Sequence, residues 1–413
     1  MYCFLCRAFD RIFYVCLKHA LTLLLIPAWL HADPPFPEFV DPHPDAGNRF
    51  GADVVMLSTG NVVITAPFDD AGGSDAGAVY LFNGATGALI STLTGSTAGD
   101  KVGSSGVTAL SNGNYVVRSE FWDNEAVTDA GAVTWGSGTS GISGVVNASN
   151  SLVGSTAGDK VGSSGVTVLS NGNYVVNSPN WNNGAVTDAG AVTWGSGTSG
   201  ISGVVSASNS LVGTGANDKV GGGGVWALSN GHYVVSSDLW NNGAASDAGA
   251  VTWGSGASGI SGVVSASNSL VGSKTGDSVG NFGVVALSNG NYVVRSPNWN
   301  NGAASGAGAV TWGNGISGIS GVVSASNSLV GSASNDGVGG GRVTALSNGN
   351  YVVISFNWDN GAATDAGAVT WGNGTSGVSG VVSASNSLVG STSNDSVGGR
   401  GMTTLSNGNY VVR

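Results

Sequence analysis

The chain has 413 residues, of which 71 are glycine and only 9% are charged, whereas an average soluble domain is about 25% charged. Hydrophobic residues still make up 41%, which excludes a disordered polar tract, and the glycines follow no collagen period. The net charge of −11 argues against a nucleic-acid partner, because neutralising phosphates requires a basic surface. The cysteines are Cys3, Cys6 and Cys16, so the rest of the chain can hold neither disulfides nor zinc fingers.

The first 32 residues have the pattern of a secretory signal peptide. Arg11 and Lys18 precede an apolar run at residues 20–30, which is shorter than the roughly 20 residues that a membrane span needs. The small residue Ala32 follows, before a Pro-rich linker at residues 33–45. We therefore predict a cleaved signal peptide, a secreted or cell-surface location, and no membrane span in the mature chain. An uncleaved signal anchor is the alternative.

The body of the chain is a tandem repeat with a period of 59 residues, which separates Trp135 from Trp194. A shorter, diverged copy precedes the full copies and a partial copy follows them, so the array has seven members. These units span residues 46–94, 95–153, 154–212, 213–271, 272–330, 331–389 and, in part, 390–413.

Each full copy contains four segments that we predict to be short strands, numbered here from the first full copy. Residues 106–110 and 114–118 are joined by Ser-Asn-Gly, and Asn-Gly between two apolar runs is a strong hairpin signal. The third strand, at residues 131–135, is rich in β-branched and aromatic side chains. The fourth lies at residues 144–153. No segment has the 3.6-residue apolar period of a helix.

Four strands per copy, with small residues among them, are typical of a β-propeller blade, in which small sheets bury their faces against their neighbours. The alternation of the third strand puts Val133 and Trp135 on one face and Ala132 and Thr134 on the other. We predict an all-β protein: a β-propeller of four-stranded blades, with six four-stranded units and a C-terminal half blade that form an incomplete seven-bladed ring. The missing strands are expected from the rest of a longer chain or from a partner. A β-solenoid is the alternative, but no sub-period supports it.

Three motifs of the first copy carry a family resemblance: Phe-Gly at residues 50–51, Thr-Ala-Pro at 65–67 and Gly-Ala-Val-Tyr-Leu-Phe at 77–82. They resemble the FG-GAP repeat of integrin-α-type β-propellers, in a bacterial-looking variant, over the chain from residue 46 to the end. The resemblance implies the propeller fold and a role in adhesion. The calcium loop that this family often carries is replaced here by Leu-Ser-Thr-Gly-Asn at residues 57–61, which cannot supply about six to eight oxygen ligands. We therefore expect no cofactor.

Two sets of loops meet at one end of an antiparallel blade: those between the second and third strands, and those that lead into each first strand. The first set carries tryptophans beside Asn or Asp, and the second carries Asp100 and its equivalents. Aromatic faces beside amides and carboxylates suit sugar rings. In the alternative, the tryptophans pack between blades and each aspartate hydrogen-bonds its own turn. Calcium on these loops is left open. The candidate ligand-binding residues are Trp122, Trp181, Trp240, Trp299, Trp358, Asp123 and Asp359.

A catalytic role is not expected from this sequence. After residue 32 the available histidines are His43 and His232, and the latter lies in a turn; there is no Gly-x-Ser-x-Gly elbow and no phosphate loop. The sequence therefore predicts an exported, non-enzymatic propeller that acts as an adhesion or ligand-binding module, with a surface glycan or protein as ligand. The alternative is a structural spacer of a larger surface protein, with no ligand of its own.

Overall fold

The computed structural model of the chain describes residues 37–413, so the predicted signal peptide and the start of the Pro-rich linker lie outside the described residues. Within this range every regular element is a β-strand, which confirms the all-β prediction. No helix long and apolar enough to cross a membrane is present in residues 37–413. The repeats are called units 1 to 7 below, with the bounds given above.

The strands follow the same order in every full unit, and two of them are only two or three residues long. Unit 1 contains β1 (Val54–Met56), β2 (Val62–Ala66), β3 (Ala78–Phe82) and β4 (Leu89–Thr94). Unit 2 contains β5 (Val107–Ala109), β6 (Tyr115–Ser119), β7 (Ala132–Gly136), β8 (Gly144–Val145) and β9 (Ser151–Val153), and unit 3 contains β10 (Val166–Val168), β11 (Tyr174–Ser178), β12 (Ala191–Gly195), β13 (Gly203–Val204) and β14 (Ser210–Val212). Unit 4 contains β15 (Gly224–Ala227), β16 (Tyr233–Ser237), β17 (Ala250–Gly254), β18 (Gly262–Val263) and β19 (Ser269–Val271), and unit 5 contains β20 (Val284–Ala286), β21 (Tyr292–Ser296), β22 (Ala309–Gly313), β23 (Gly321–Val322) and β24 (Ser328–Val330). Unit 6 contains β25 (Arg342–Ala345), β26 (Tyr351–Ser355), β27 (Ala368–Gly372), β28 (Gly380–Val381) and β29 (Ser387–Val389), and unit 7 contains β30 (Met402–Thr404) and β31 (Tyr410–Val412).

Unit 2 shows how each blade is built. Strands β5, β6, β7 and β9 pair antiparallel in that order, with Val107 opposite Val117 and Ala132 opposite Val153. The hairpin between β5 and β6 turns at Gly113, whose φ of 87° lies in the left-handed region that glycine adopts at little cost. The predicted hairpin is therefore confirmed, and so is the pairing of four strands from one unit, although the complete sheet has a fifth strand from the next unit.

The predicted fourth strand is two strands in the structure. Residues 147–150 form a turn in which Asn150 Oδ1 accepts the Asn147 N–H at 2.9 Å, and this side-chain bond competes with a continuous ladder. The part before the turn, β8, leaves its own sheet and pairs in parallel with β4 of unit 1. The same exchange recurs through unit 6, so that five sheets hold four strands of their own and one from the next unit.

The hydrophobic core lies between consecutive sheets. One cluster joins Leu81 and Leu93 of unit 1 to Tyr115 and Ala132 of unit 2, and the same pattern repeats down to units 6 and 7. Val133 points the other way, into the cluster shared with unit 3, as the alternation of the third strand predicts. Each sheet therefore buries both faces only because it has neighbours, which is how stacked repeat proteins are stabilised.

The first sheet has a different neighbour on its free side. There Tyr80 and Phe82 are buried by Phe39 and Phe50, which come from the segment that precedes β1. The rings of Phe39 and Phe82 meet edge to face with centroids 5.5 Å apart. Residues 37–50 thus cap the array at unit 1.

The arrangement is β-propeller-like, with small sheets stacked in tandem and the first strands of consecutive units side by side. Over residues 37–413, the hydrogen bonds and hydrophobic clusters that link units join consecutive ones, and none connects unit 1 to unit 6 or 7. Closure into a seven-bladed ring, and missing strands contributed by a longer chain, stay predictions.

We expect Phe50→Ala to lower the free energy of unfolding by about 1–3 kcal/mol, because it uncovers the aromatic face of the first sheet. In a stacked array the effect should be local. Hydrogen exchange measures this: the amides of β2 should lose protection while those of β21, four units away, keep theirs. An equal loss in both strands would show that residues 37–50 do not act as a local cap.

Candidate functional site

The two sets of loops meet at one end of the sheets, as expected, and we call this end the loop face. Asp159 shows what holds it together: its Oδ2 accepts the N–H groups of Ser155 and Thr156, each at 2.8 Å. Its Oδ1 accepts both the N–H and the Nδ2–H of Asn182 at 2.9 Å. The carboxylate therefore ties the loop that leads into unit 3 to the loop between the second and third strands of that unit.

These aspartates have few free acceptor positions for a ligand. Asp159 is fully buried, and burial raises the pKa of its carboxyl against the opposing effect of the four N–H donors. Because the folded state binds this proton more tightly, the contribution of Asp159 to stability increases as the pH falls through that raised pKa, and it is complete below the pKa of the unfolded chain. The loops that lead into the other units carry Asp100, Asp218, Asp277, Asp336 and Asp395 in the same place, each with Oδ2 on two N–H groups of its own turn.

The five tryptophans of the second-to-third-strand loops are buried rather than displayed. Trp181 is 4% exposed and packs in the cluster between units 2 and 3. Its Nε1 has no hydrogen-bond partner, so the indole acts only by filling space. Burial in the inter-sheet clusters favours the packing alternative for the whole set, which is Trp122, Trp181, Trp240, Trp299 and Trp358, each 3–5% exposed.

Asp123 and Asp359, the two carboxylates proposed as ligand contacts beside these tryptophans, also accept hydrogen bonds within their own loops. Asp123 Oδ1 accepts the N–H of Asp129 at 2.7 Å, and Asp359 Oδ1 accepts the N–H of Asp365 at 2.8 Å. Both residues that donate have positive φ, near 50°, so each bond holds a left-handed turn. A sugar ring seated against the buried indoles would have to displace these packed loops.

We expect Trp181→Ala to destabilise the protein by about 3–5 kcal/mol, as truncation of a buried aromatic does. Trp181→Phe should cost about 1–2 kcal/mol, since no hydrogen bond is lost. Urea unfolding measures both values. If Trp181→Ala left the unfolding curve unchanged and abolished ligand binding, the tryptophan would be a ligand contact rather than a core residue.

We expect Asp159→Asn to cost about 1–3 kcal/mol, because an amide nitrogen replaces an oxygen that accepts two N–H groups. Asp188→Asn is the matched control: it lies in the same loop region, is exposed, and has only Lys219 nearby at 3.7 Å. That change should stay within about 0.5 kcal/mol. Equal losses for the two variants in urea unfolding would contradict the structural role of Asp159.

A second set of tryptophans, at the end of each third strand, lines pockets at the junctions between units. Trp253 is half-buried, and its Nε1 donates to the carbonyl of Gly315 in the next unit at 3.0 Å. A pocket of about 210 Å³ opens beside it, lined by Trp253, Ile260, Ser267, Asn268 and residues 317–320. The equivalent pocket beside Trp312 has about 200 Å³.

The backbone of the next unit forms one wall of this pocket at Gly318. A Cβ there would lie 2.7 Å from Cβ and 3.1 Å from Cγ of Trp253, and its φ is +73°. Glycine is thus required for the loop to approach the indole. The side chain of Asn268 stabilises its own turn, because Nδ2 donates to the Val263 carbonyl at 2.9 Å. The polar groups left to face solvent are mainly the hydroxyls of exposed serines, including Ser267 and Ser320.

Two earlier junctions have the same construction. Trp135 and Trp194 donate from Nε1 to the carbonyls of Gly197 and Gly256, each at 3.0 Å, and a glycine of the next unit lies against each indole. From the sequence, these tryptophans fix the repeat register and share a strand face with Val133 and its equivalents, but they are not predicted to line a site. The sequence feature that could have predicted their exposure is their position at the end of a strand, next to a glycine.

One group of described residues brings metal-ligand types together, in the N-terminal cap. His43 Nδ1 lies 2.8 Å from Asp45 Oδ2 and 3.3 Å from Asp69 Oδ1, all within 4.8 Å of one another. Asp69 is fully buried and also accepts the Tyr80 hydroxyl. Contacts of the imidazole with the two carboxylates account for this geometry without a metal. Calcium on the loop face stays a prediction, and the oxygens it would need already accept N–H groups.

The second histidine is a turn residue. His232 Nδ1 accepts the N–H of Gly256 at 3.0 Å, in the place where Asn173 Oδ1 accepts the N–H of Gly197 at 2.9 Å. The imidazole nitrogen of His232 here replaces the amide oxygen of asparagine, and within residues 37–413 it makes no hydrogen bond to a serine or cysteine.

The repeats match two families. A model described as a repeat of unknown function (DUF5650) matches residues 109–163, 168–222, 227–281, 286–340 and 345–399. The FG-GAP repeat matches residues 39–82, which confirms the resemblance of the first copy.

Comparison with individual proteins adds little. No curated protein matches the chain. One similar solved structure is titled a crystal structure of the eukaryotic initiation factor, with 10% identity and a TM-score of 0.30 over 82% of this chain and 76% of that one. A likeness of that size bears on neither fold nor function.

Proposed function

We propose that this chain, which belongs to the DUF5650 repeat family, is an exported, non-enzymatic module that binds a ligand at the cell surface through the pockets at its unit junctions. The observation that carries the proposal is the recurrence of one pocket, with the same tryptophan and serines, beside Trp253 and Trp312. The signal-peptide pattern of the first 32 residues supports export.

The size of each pocket indicates how it would be used. At about 200 Å³ it is smaller than the roughly 300–1,000 Å³ of typical small-molecule sites, so it accommodates one ring or side chain of a larger ligand. An indole flank with hydroxyls around it suits such a group. Weak contacts at successive junctions add up when the ligand spans them, because each later contact is intramolecular.

The non-enzymatic part of the proposal is supported by the positions of the two histidines. His43 pairs with Asp45 and Asp69, and His232 holds a turn. General base catalysis needs a histidine within reach of a nucleophile or a substrate proton. His232 lies against Trp253, with ring centroids 4.9 Å apart, but its Nδ1 accepts a backbone N–H.

A structural spacer is the second candidate function. The observation in its favour is that each unit contributes a strand to the sheet before it, which makes the array continuous and stiff. The two functions are separated by whether the pockets have an occupant.

The test fills two pockets without touching the core. Ser267 and Ser326 are exposed and line the pockets beside Trp253 and Trp312. We expect Ser267→Leu with Ser326→Leu to weaken binding on a glycan array and to intact cells by about tenfold, while the melting temperature stays unchanged, because the substitutions remove space rather than buried contacts.

The matched control carries Ser246→Leu and Ser305→Leu, two exposed serines of the loop face in the same units. This control should bind as the unsubstituted chain does. Equal behaviour of both double variants, or no binding by the unsubstituted chain to any array component or cell surface, would favour the spacer.

A further inference from the structure

Charge is confined to one end of the array in units 2 to 6. The opposite end, which we call the turn face, consists of the Ser-Asn-Gly turns (residues 111–113 and their equivalents) and the connections after the third strands (residues 137–143 and their equivalents). Across residues 95–389 these segments contain no Asp, Glu, Lys or Arg. All charged residues of this range lie on or next to the loop face, including Asp100, Lys101 and Arg118 at the end of β6.

The polar groups of the turn face are held in a fixed neutral network. The carbonyl of Gly197 accepts Nδ2–H of Asn112 at 2.8 Å, Nδ2–H of Asn114 at 2.7 Å and Nε1–H of Trp135 at 3.0 Å, all from the preceding unit. The carbonyl of Gly374 accepts the same three donors from unit 5. The amides are thus used internally, and the face offers serine and threonine hydroxyls and the sides of indoles.

From this partition we infer that the turn face binds a linear, uncharged polysaccharide whose sugar units occupy successive junction pockets. The inference rests on the function proposed above and names its ligand class. A charged ligand would lose part of its hydration shell at this surface. Because the surface has no residue of opposite charge to compensate, the desolvation would weaken binding. A neutral sugar needs only C–H contact with an aromatic group and hydroxyl partners, and both are present.

A protein ligand fits this face less well. Protein interfaces concentrate their binding energy in Trp, Tyr and Arg anchors that insert into pockets, with complementary charges around them. The turn face of units 2 to 6 has no Arg, and the indoles of Trp135, Trp194, Trp253 and Trp312 are each fixed by a bond to the next unit. The pockets beside Trp253 and Trp312 instead occupy equivalent places in consecutive units, which matches a ligand that is itself a repeat.

The experiment places charge of either sign in two of the junction pockets that border the turn face. Three double variants carry Ser267→Glu with Ser326→Glu, Ser267→Lys with Ser326→Lys, or Ser267→Gln with Ser326→Gln, the last as the neutral control of similar size. Probes are soluble uncharged polysaccharides (dextran, starch, arabinoxylan) and anionic ones (alginate, hyaluronate), at about 50 mM and about 500 mM NaCl.

We expect the unsubstituted chain to bind an uncharged polymer with an affinity that changes less than about twofold with salt. The Glu and Lys variants should both weaken that binding by about tenfold, to similar extents, and the Gln variant by less. Short oligosaccharides of the same polymer should bind more weakly than the polymer, because they reach fewer pockets.

Two results would overturn this inference and leave the proposed function standing: stronger binding by the Lys variant with weaker binding by the Glu variant, or the reverse, since either identifies a charged ligand. Binding to cells that is abolished by protease treatment of the cells would do the same by identifying a protein ligand. Failure of the unsubstituted chain to bind any cell or polymer is a different result, because it removes the proposed function itself.

Discussion

The carbonyl group of one glycine per unit junction, Gly197 at the junction of units 2 and 3, organises much of what surrounds it. Three N–H donors of the preceding unit converge on that oxygen at 2.7–3.0 Å. Two are asparagines of a hairpin turn and the third is the indole of Trp135, so one acceptor fixes the turn, the end of the third strand and the next unit together. The bond also holds the indole at the surface, and the equivalent indoles of Trp253 and Trp312, held in the same way, line the junction pockets.

Glycine makes such junctions possible by allowing close approach. The residue that ends each third strand, Gly195 in unit 3, lies so near the ring of Tyr174 that a Cβ would come 2.3 Å from Cζ. Tyr174 is itself fully buried, and burial raises its pKa well above the usual value. The small charge content of the chain has the same origin: sheets that bury both faces against near-identical sheets have little room for ionised groups, which would have to be desolvated.

The hairpins and the facing of side chains could be predicted from the sequence because both depend on neighbouring residues. Asn-Gly specifies its turn locally, and alternation in the third strand places Val133 and Ala132 on opposite faces. The exchanged strand β8 could not be predicted, since two residues carry no pattern and their partner lies about one unit earlier in the chain. The sequence left both roles of Trp181 open, as a ligand contact or as a packing residue, for a similar reason: its exposure depends on which residues of another unit cover it, and composition does not contain that information.

The repeats differ from one another more on the loop face than on the turn face. Position 120 and its equivalents on the loop face hold Glu, Pro, Asp, Pro and Phe, whereas the turn-face segment 140–145 reads Ser-Gly-Ile-Ser-Gly-Val in four units and differs by one residue in the fifth. A change at the turn face affects the unit before it through the glycine carbonyl. Because residues of two consecutive units line the pockets beside Trp253 and Trp312, duplication of a unit is expected to add one more junction of this kind and to lengthen the neutral face.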